Sequence, residues 1–254
     1  MTNKAAVKSV WITGAGKGIG RALAKRMAVS GWQVAVSART ESDLISLQHD
    51  CPPGSIHVFP LDVTNAELNE SVFHQIETRL GSVDLVILNA GTHTPNPIVD
   101  FTVESFRKLV ETNLMGTVHG LVPVIRSFTG RRAGHIAVVA SLAGYRGLPS
   151  ASAYGATKAG LINMCEALKV ELEPYNVRLS LINPGFVETP LTDKNPFPIP
   201  FLVPVEQAID YILRGLERNQ FEISFPKRFS FLLKLMRILP DRLFFAMSRR
   251  MLPP

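Results

Sequence analysis

The stretch that most restricts how this chain can fold lies near its start. Lys8 to Thr13 (KSVWIT) reads as a buried strand and runs directly into GAGKGIG and then RALAKRMAVSG, whose apolar spacing is helical. Gly14, Gly18 and Gly20 stand in G-x-x-x-G-x-G order between strand and helix. The backbone N–H groups of this turn, including Gly16, Lys17 and Ile19, can together with the helix dipole meet a pyrophosphate. Lacking Cβ atoms, the glycines allow a close approach. The pattern departs from G-x-G-x-x-G, since Ile19 occupies the place of the last glycine. Further strands are expected at 33–37, 56–61, 83–88, 135–140, 177–182 and 221–225, and helices at 66–80, 102–128 and 205–218, with one more carrying Tyr154 and Lys158 through about Tyr175. This alternation predicts an α/β fold: a single-domain, Rossmann-type, doubly wound parallel sheet of about seven strands with helices on both faces.

A length of 254 residues suits one such domain, covering 1–225, with an extension at 226–254. Two cysteines, Cys51 and Cys165, are too few for a disulfide framework, and Cys165 suits packing better than chemistry. The N-terminus lacks the apolar core of a secretory signal, and no run reaches the roughly 18 apolar residues of a membrane span. A reduced, cytoplasmic protein is therefore expected, and no metal site. The net charge is +6. All of it resides in the extension, where Lys227, Arg228, Lys234, Arg237, Arg242, Arg249 and Arg250 face Asp241 alone. The neutral body argues against a nucleic-acid partner.

Chemistry concentrates in SLAGYRGLPSASAYGATK, Ser141 to Lys158. Tyr154 and Lys158, four apart, share one face of a helix. A phenol with a pKa of about 10 is a poor acid near neutrality. An ammonium at about 4 Å, worth roughly 4 kcal/mol at an effective dielectric of about 20, would lower that pKa by at most roughly three units. Ser141 could hold a substrate oxygen against the phenol. Tyr and Lys at this spacing also occur by accident on many helices.

With the serine thirteen residues upstream, however, the chain resembles the short-chain dehydrogenase/reductase family, whose members move a hydride between a nicotinamide cofactor and a carbonyl or alcohol. The glycine spacing, with Thr13 before it, is the one that family uses. The resemblance covers roughly the first 225 residues. It implies that Tyr154 is the acid or base, that Lys158 lowers its pKa and holds the ribose, that Ser141 polarises the carbonyl, and that Asn113 keeps a water relay to Lys158. Without the family, Asn113 would be read as an amide satisfied by a neighbouring carbonyl. Asp62-Val63 resembles the adenine contact. Asn89-Ala90-Gly91 resembles a border of the cofactor, with Leu88 departing from the family's first Asn. Pro184-Gly185, Val187 and Thr189 resemble the turn that meets the carboxamide and phosphate. Where NAD-binding relatives place an acid for the ribose 2′-hydroxyl, this chain has Ala38, followed by Arg39. Together with Lys17, Arg39 favours a 2′-phosphate, hence NADP(H) as cofactor.

Beyond Thr189 the segment PLTDKNPFPIPFLVP resembles a substrate lid. Leu191, Phe197, Ile199, Phe201 and Leu202 suggest an apolar carbonyl or alcohol substrate, or else only staple the lid to the body. On the Tyr154 helix, Ala159, Ile162, Cys165, Ala167 and Leu168 would pack on a twin in a homodimer or homotetramer. In the extension, Leu232, Leu235, Met236 and Leu239 follow i, i+3, i+4, i+7 spacing; beyond Pro240, a second stretch carries Leu243, Phe244 and Met247. A basic amphipathic helical pair reads either as a peripheral membrane contact or as an arm packing on the same subunit's substrate cleft or on a neighbour. Two other functions are compatible with these residues. One is a 3-oxoacyl thioester reductase, in which Arg146 or Lys194 meets phosphopantetheine. The other is an NADP(H)-binding, membrane-docked scaffold without turnover, which the complete Ser, Tyr, Lys and Asn set disfavours.

Overall fold

The computed structural model describes residues 7–95, 97–194 and 199–252. The strands are β1 (Ser9–Thr13), β2 (Gln33–Ser37), β3 (Ile56–Val58), β4 (Leu85–Leu88), β5 (Gly134–Val139), β6 (Val177–Pro184) and β7 (Glu222–Phe225). They form one sheet in the order β3-β2-β1-β4-β5-β6-β7, and every pairing is parallel. Trp11 sits opposite Ala35 on one side and Val86 on the other. Side chains of a strand alternate between faces. Accordingly Trp11, Ala35, Val86, Leu88, Ile136 and Val138 enter one core, while Val10, Ile12, Val34, Val36, Leu85 and Ile87 enter the other. Both faces are covered, so the strands read as near-continuous apolar runs.

Helices α1 (Gly18–Val29), α2 (Glu41–His49) and α7 (Val205–Glu217) cover the second face; α3 (Ala66–Leu80), α5 (Gly116–Arg131) and α6 (Ser152–Leu172) cover the first. The expected strand at 56–61 ends at Val58, although Phe59 and Leu61 still donate to Val36 and Ala38; the N–H that Pro60 lacks would face the open edge of the sheet. The single helix expected over 102–128 is instead three pieces: α4 (Val103–Leu109), a π-helical turn (Val110–Met115) and α5. The wider turn carries Asn113, which is fully buried. On α6, Ile162 and Cys165 point into the chain's own core, whereas Ala159 and Ala167 are exposed, so the five residues expected on one intersubunit face are split.

The extension forms α8 (Lys227–Ile238) and α9 (Asp241–Ser248), packed on the Trp11 side of the sheet. Its inner stripe differs from the expected one. Ser230, Leu233 and Met236 are buried, whereas Leu232 and Leu235 are 40% and 45% exposed. Polar contacts set this rotation: Ser230 donates to Ser224 at 3.0 Å, and Lys234 pairs with Glu222 of β7. In α9 only Phe244 of the expected three apolar residues is buried; Leu243 and Met247 are exposed. Met236→Ala should therefore cost about 2–5 kcal/mol and Leu232→Ala well under half of that. Urea unfolding of the two variants checks this; equal losses would restore the original face.

Candidate active site

The sheet reverses winding between β1 and β4, and the site grows from that crevice. After β4, the Asn89 amide donates to the carbonyls of Thr13 (3.0 Å) and Gly14 (3.2 Å), while the backbone N–H groups of Asn89 and Ala90 donate to the Thr13 hydroxyl (3.0 and 3.1 Å). Leu88, the departure from the family pattern, is buried in the core, and Asn89 alone ties the two strand ends together. Gly14 has φ +67°, and a Cβ there would stand 2.7 Å from the Ala90 Cα. A Cβ on Gly20 would lie 2.4 Å from the Gly14 carbonyl oxygen. Those two positions tolerate nothing larger than glycine.

The next question is whether a dinucleotide suits these residues. Helix α3 is capped by Asn65, and α4 by a Thr102–Ser105 capping box. Helix α1 begins after Lys17 with no side-chain cap and no acid in its first turn, as α6 and α8 also do, but α1 alone of these follows the glycine turn at the crevice. Its leading N–H groups and positive dipole end are left for an anion, which suits a pyrophosphate. Thr189 lies against Gly18, within 3.2 Å of where a Cβ would stand, so the turn after β6 reaches the glycine turn. Pro184 closes β6, the Gly185 N–H donates to the Phe225 carbonyl at 2.7 Å, and Val187 is buried and bridges to Val203. Beyond β2, Arg39 is exposed. Hydrogen bonds from Thr64 hold Asp62 below the usual carboxylate range, and Arg39 contributes to the lowering. Lys17 lies 3.5 Å from Asp43, which shares its charge. Val63, beside Asp62, is buried against Gly116.

Ser141 ends β5's path into the crevice, accepts from the Ala143 N–H at 3.1 Å and donates weakly to the Pro184 carbonyl at 3.4 Å. Tyr154 and Lys158 occupy the first turns of α6. Burial raises the Tyr154 phenol above its ordinary value, and a hydrogen bond with Ser141 pulls the other way. The cation does not perform the expected lowering. The Lys158 Nζ donates to the Val139 carbonyl at 2.9 Å and lies 5.8 Å from the centre of the Tyr154 ring. Burial pushes the lysine down to about 8. Its ammonium is thus still charged at neutral pH, and the phenol is still protonated.

Asn113 is held directly. Its Oδ1 accepts from the Thr92 N–H (2.7 Å), and its Nδ2 donates to the Thr92 carbonyl (2.9 Å) and to Thr157 (3.2 Å). Asn113 Oδ1 and Lys158 Nζ lie 3.4 and 3.6 Å from the point a Gly91 Cβ would occupy, so both border the same space. Sequence reasoning missed His93, whose ring packs edge-on against Tyr154 at 4.7 Å between centroids. An aromatic base two residues after Gly91 was the available signal.

A second polar cluster, also missed, ties the extension to this site. Tyr145, four residues after Ser141, donates to Glu222, which also accepts from Asn183 (3.2 Å) and Lys234. Burial and the Glu222 carboxylate raise the Tyr145 phenol. For Glu222 burial pushes upward, but the bonds from Lys234 and Tyr145 outweigh it and the net shift is downward. Arg146 pairs with Asp241 at 2.6 Å and lies over the Phe244 ring. It therefore anchors α9. The side chains of Lys194 and Phe197 lie outside the described residues. Phe229 of α8 stacks on Phe186 and on Phe201 of the expected lid. The extension is therefore an arm against its own cleft.

Residues 8–196 match the family model described as short chain dehydrogenase, and the chain belongs to that family of oxidoreductases. An uncharacterized oxidoreductase from Myxococcus xanthus is 35% identical over 246 residues, 96% of this chain and 97% of the relative, so the match takes in most of the extension. An alcohol dehydrogenase from Thermococcus sibiricus, solved with 5-hydroxy-NADP, is 25% identical with a TM-score of 0.77 and covers 86% of this chain and 96% of its own. A short-chain dehydrogenase from Streptomyces avermitilis, 22% identical with a TM-score of 0.81 over 96% of this chain and 97% of its own, shares the fold.

Lys158 carries a measurable cost. Its folded pKa of about 8 lies below the ordinary 10.5, so between those values the unfolded chain holds a proton that the folded chain has released. Stability from this group rises as pH climbs from about 8 to about 10.5, and the penalty is complete below 8. Lys158→Met should raise stability at pH 7 by up to about 3 kcal/mol, less about 1 kcal/mol for the lost Val139 hydrogen bond. Thermal melts of both proteins at neutral and alkaline pH check this: the gap should narrow as pH rises, and a gap independent of pH would refute it.

Proposed function

We propose that this chain is an NADP(H)-dependent oxidoreductase that reduces the carbonyl group of a lipophilic small molecule to an alcohol. The observation that carries the reading is a half-buried, protonated Tyr154 phenol beside Ser141, with a charged, buried Lys158 on the same helix face. The Tyr154 phenol rests in the form that can donate a proton, and reduction is the direction favoured with NADPH because cells usually keep that pool reduced. When bound, NADPH supplies the hydride that goes to the carbonyl carbon.

The chain's own residues do the rest. The Ser141 hydroxyl, whose donated bond to Pro184 is long, turns to donate to the carbonyl oxygen and orients it toward Tyr154. The Tyr154 hydroxyl gives its proton to that oxygen as negative charge develops there. Lys158, whose Nζ is turned to the Val139 carbonyl and borders the same space as Asn113, holds the ribose of the nicotinamide. Asn113, clamped by Thr92 and Thr157, holds the Lys158 side of the cleft in shape and presents Oδ1 for the proton's return path. Arg39, supported by Lys17, grips the 2′-phosphate, and the N-terminus of α1 holds the pyrophosphate. The NADP derivative in the Thermococcus enzyme supports that choice. Leu191, Ile199, Phe201 and Leu202, backed by Phe186 and Phe229, supply an apolar wall for the substrate. The exposed side of α6, with Ala159, Ala167 and Val170, is the surface for a homodimer or homotetramer.

Turnover of a panel of carbonyl compounds with NADPH and NADH in parallel tests this function. Tyr154→Phe should lower kcat by about a hundred- to ten-thousand-fold with cofactor affinity retained. Retained turnover would remove Tyr154 from the chemistry. Arg39→Ala should raise KM for NADPH by roughly tenfold to a hundredfold and leave NADH unaffected; an equal effect on both would count against the 2′-phosphate role.

A further inference from the structure

We infer that the outer face of α8 and α9 is a docking surface for an anionic lipid bilayer, lying beside the lid of the active-site cleft. The inner face of this helical pair is already committed: Leu233, Met236 and Phe244 are buried, Lys234 is held by Glu222, and Asp241 is held by Arg146. What remains outside is both apolar and basic. Phe231, Leu235 and Ile238 recur at i, i+4, i+7 along α8, with Phe231 72% and Ile238 77% exposed. Leu243 and Met247, one turn apart on α9, and Met251 beyond it are also exposed.

Six exposed cations accompany this apolar stripe: Lys227, Arg228, Arg237, Arg242, Arg249 and Arg250. None of them makes an ion pair among the described residues, and the single acid of the extension is spent on Arg146. This charge pattern chooses the occupant. Pairing the face with a second copy of itself would set six uncompensated cations against six more, whereas a leaflet of anionic lipid complements them and receives the apolar side chains. Each cation near such a surface contributes on the order of fivefold to partitioning. No helix among the described residues is long and apolar enough to cross a membrane, and at twelve residues α8 spans only about 18 Å. The pair therefore lies in the plane of the surface. The half-exposed Phe201 of the lid stacks on Phe229, two residues before Phe231, which puts the lid next to the docked face.

The inference does not depend on the proposed reaction, and its measurement needs no substrate. Full-length protein would be floated with vesicles of phosphatidylcholine alone and with vesicles containing about a third phosphatidylglycerol, at low and high salt. Binding is expected on the anionic vesicles, weaker by at least about tenfold on the neutral ones and reduced by salt. The triple variant Arg237→Glu, Arg242→Glu, Arg249→Glu and the double variant Phe231→Ser, Ile238→Ser should each lose binding. All five side chains are exposed, so unchanged circular dichroism and cofactor affinity are expected of both variants. Equal binding to the two vesicle types, or wild-type binding by either variant, would overturn the inference. So would absence of vesicle binding in a protein whose oligomer, sized by light scattering, the double variant dissociates, since a second copy would then be the occupant.

Discussion

The site depends on one grip. Asn89, at the end of β4, holds the Thr13 and Gly14 carbonyls at the end of β1, while the Thr13 hydroxyl accepts from the backbone N–H groups of Asn89 and Ala90. These two strands are where the sheet changes its winding direction, so their ends diverge and open a crevice. Left alone, the carbonyls and amides at that opening would be buried polar groups without partners, each costing about 1–3 kcal/mol. By pairing with one another they keep the glycine turn pressed to the sheet and leave the first N–H groups of α1 facing outward. An anion site at the helix end thus follows from how the strand ends are satisfied.

The catalytic side of the crevice is built at the expense of stability. Lys158 is an ammonium in a dry environment, compensated by a single carbonyl, and Tyr154 is a phenol whose ionised form burial disfavours. Neither arrangement is one that folding alone would choose. Under the proposed function they have a use: the phenol holds its proton until an acceptor arrives, and the lysine is kept in the cleft for a bound ligand. The π-helical turn around Asn113 fits the same pattern, since a regular helix would not deliver that amide to Thr92 while also bonding Thr157.

What the sequence revealed follows from the range of the interactions involved. The strand, turn and first helix could be read because their signals are local: β-branched and aromatic residues, three glycines, then helical spacing. Tyr154 and Lys158 could be placed on one helix face for the same reason. The direction in which the lysine's nitrogen points could not, because its partner is a backbone carbonyl nineteen residues away at the end of β5. The rotation of α8 was misjudged for a similar cause. Hydrophobic spacing allowed two adjacent stripes, and the choice was made by Glu222 and Ser224, which pattern reading on the helix itself does not see. His93 escaped because nothing local distinguishes a loop histidine from one packed on a distant tyrosine.

Glu222 links the extension to the chemistry. It is one carboxylate receiving Tyr145 from the segment after Ser141, Asn183 from the end of β6 and Lys234 from α8. Remove the lysine and the carboxylate keeps its two neutral donors but loses its counter-charge in a half-buried place, where an unbalanced ion is expensive. The segment carrying Ser141, the strand leading to the Pro184-Gly185 turn and the added helix therefore share one electrostatic node. Phe229, stacked between Phe186 and Phe201, adds an apolar contact from the same helix to the lid. A displacement of α8 would be felt at the serine, at the turn and at the lid together, because packed side chains and a satisfied ion cluster do not yield one at a time.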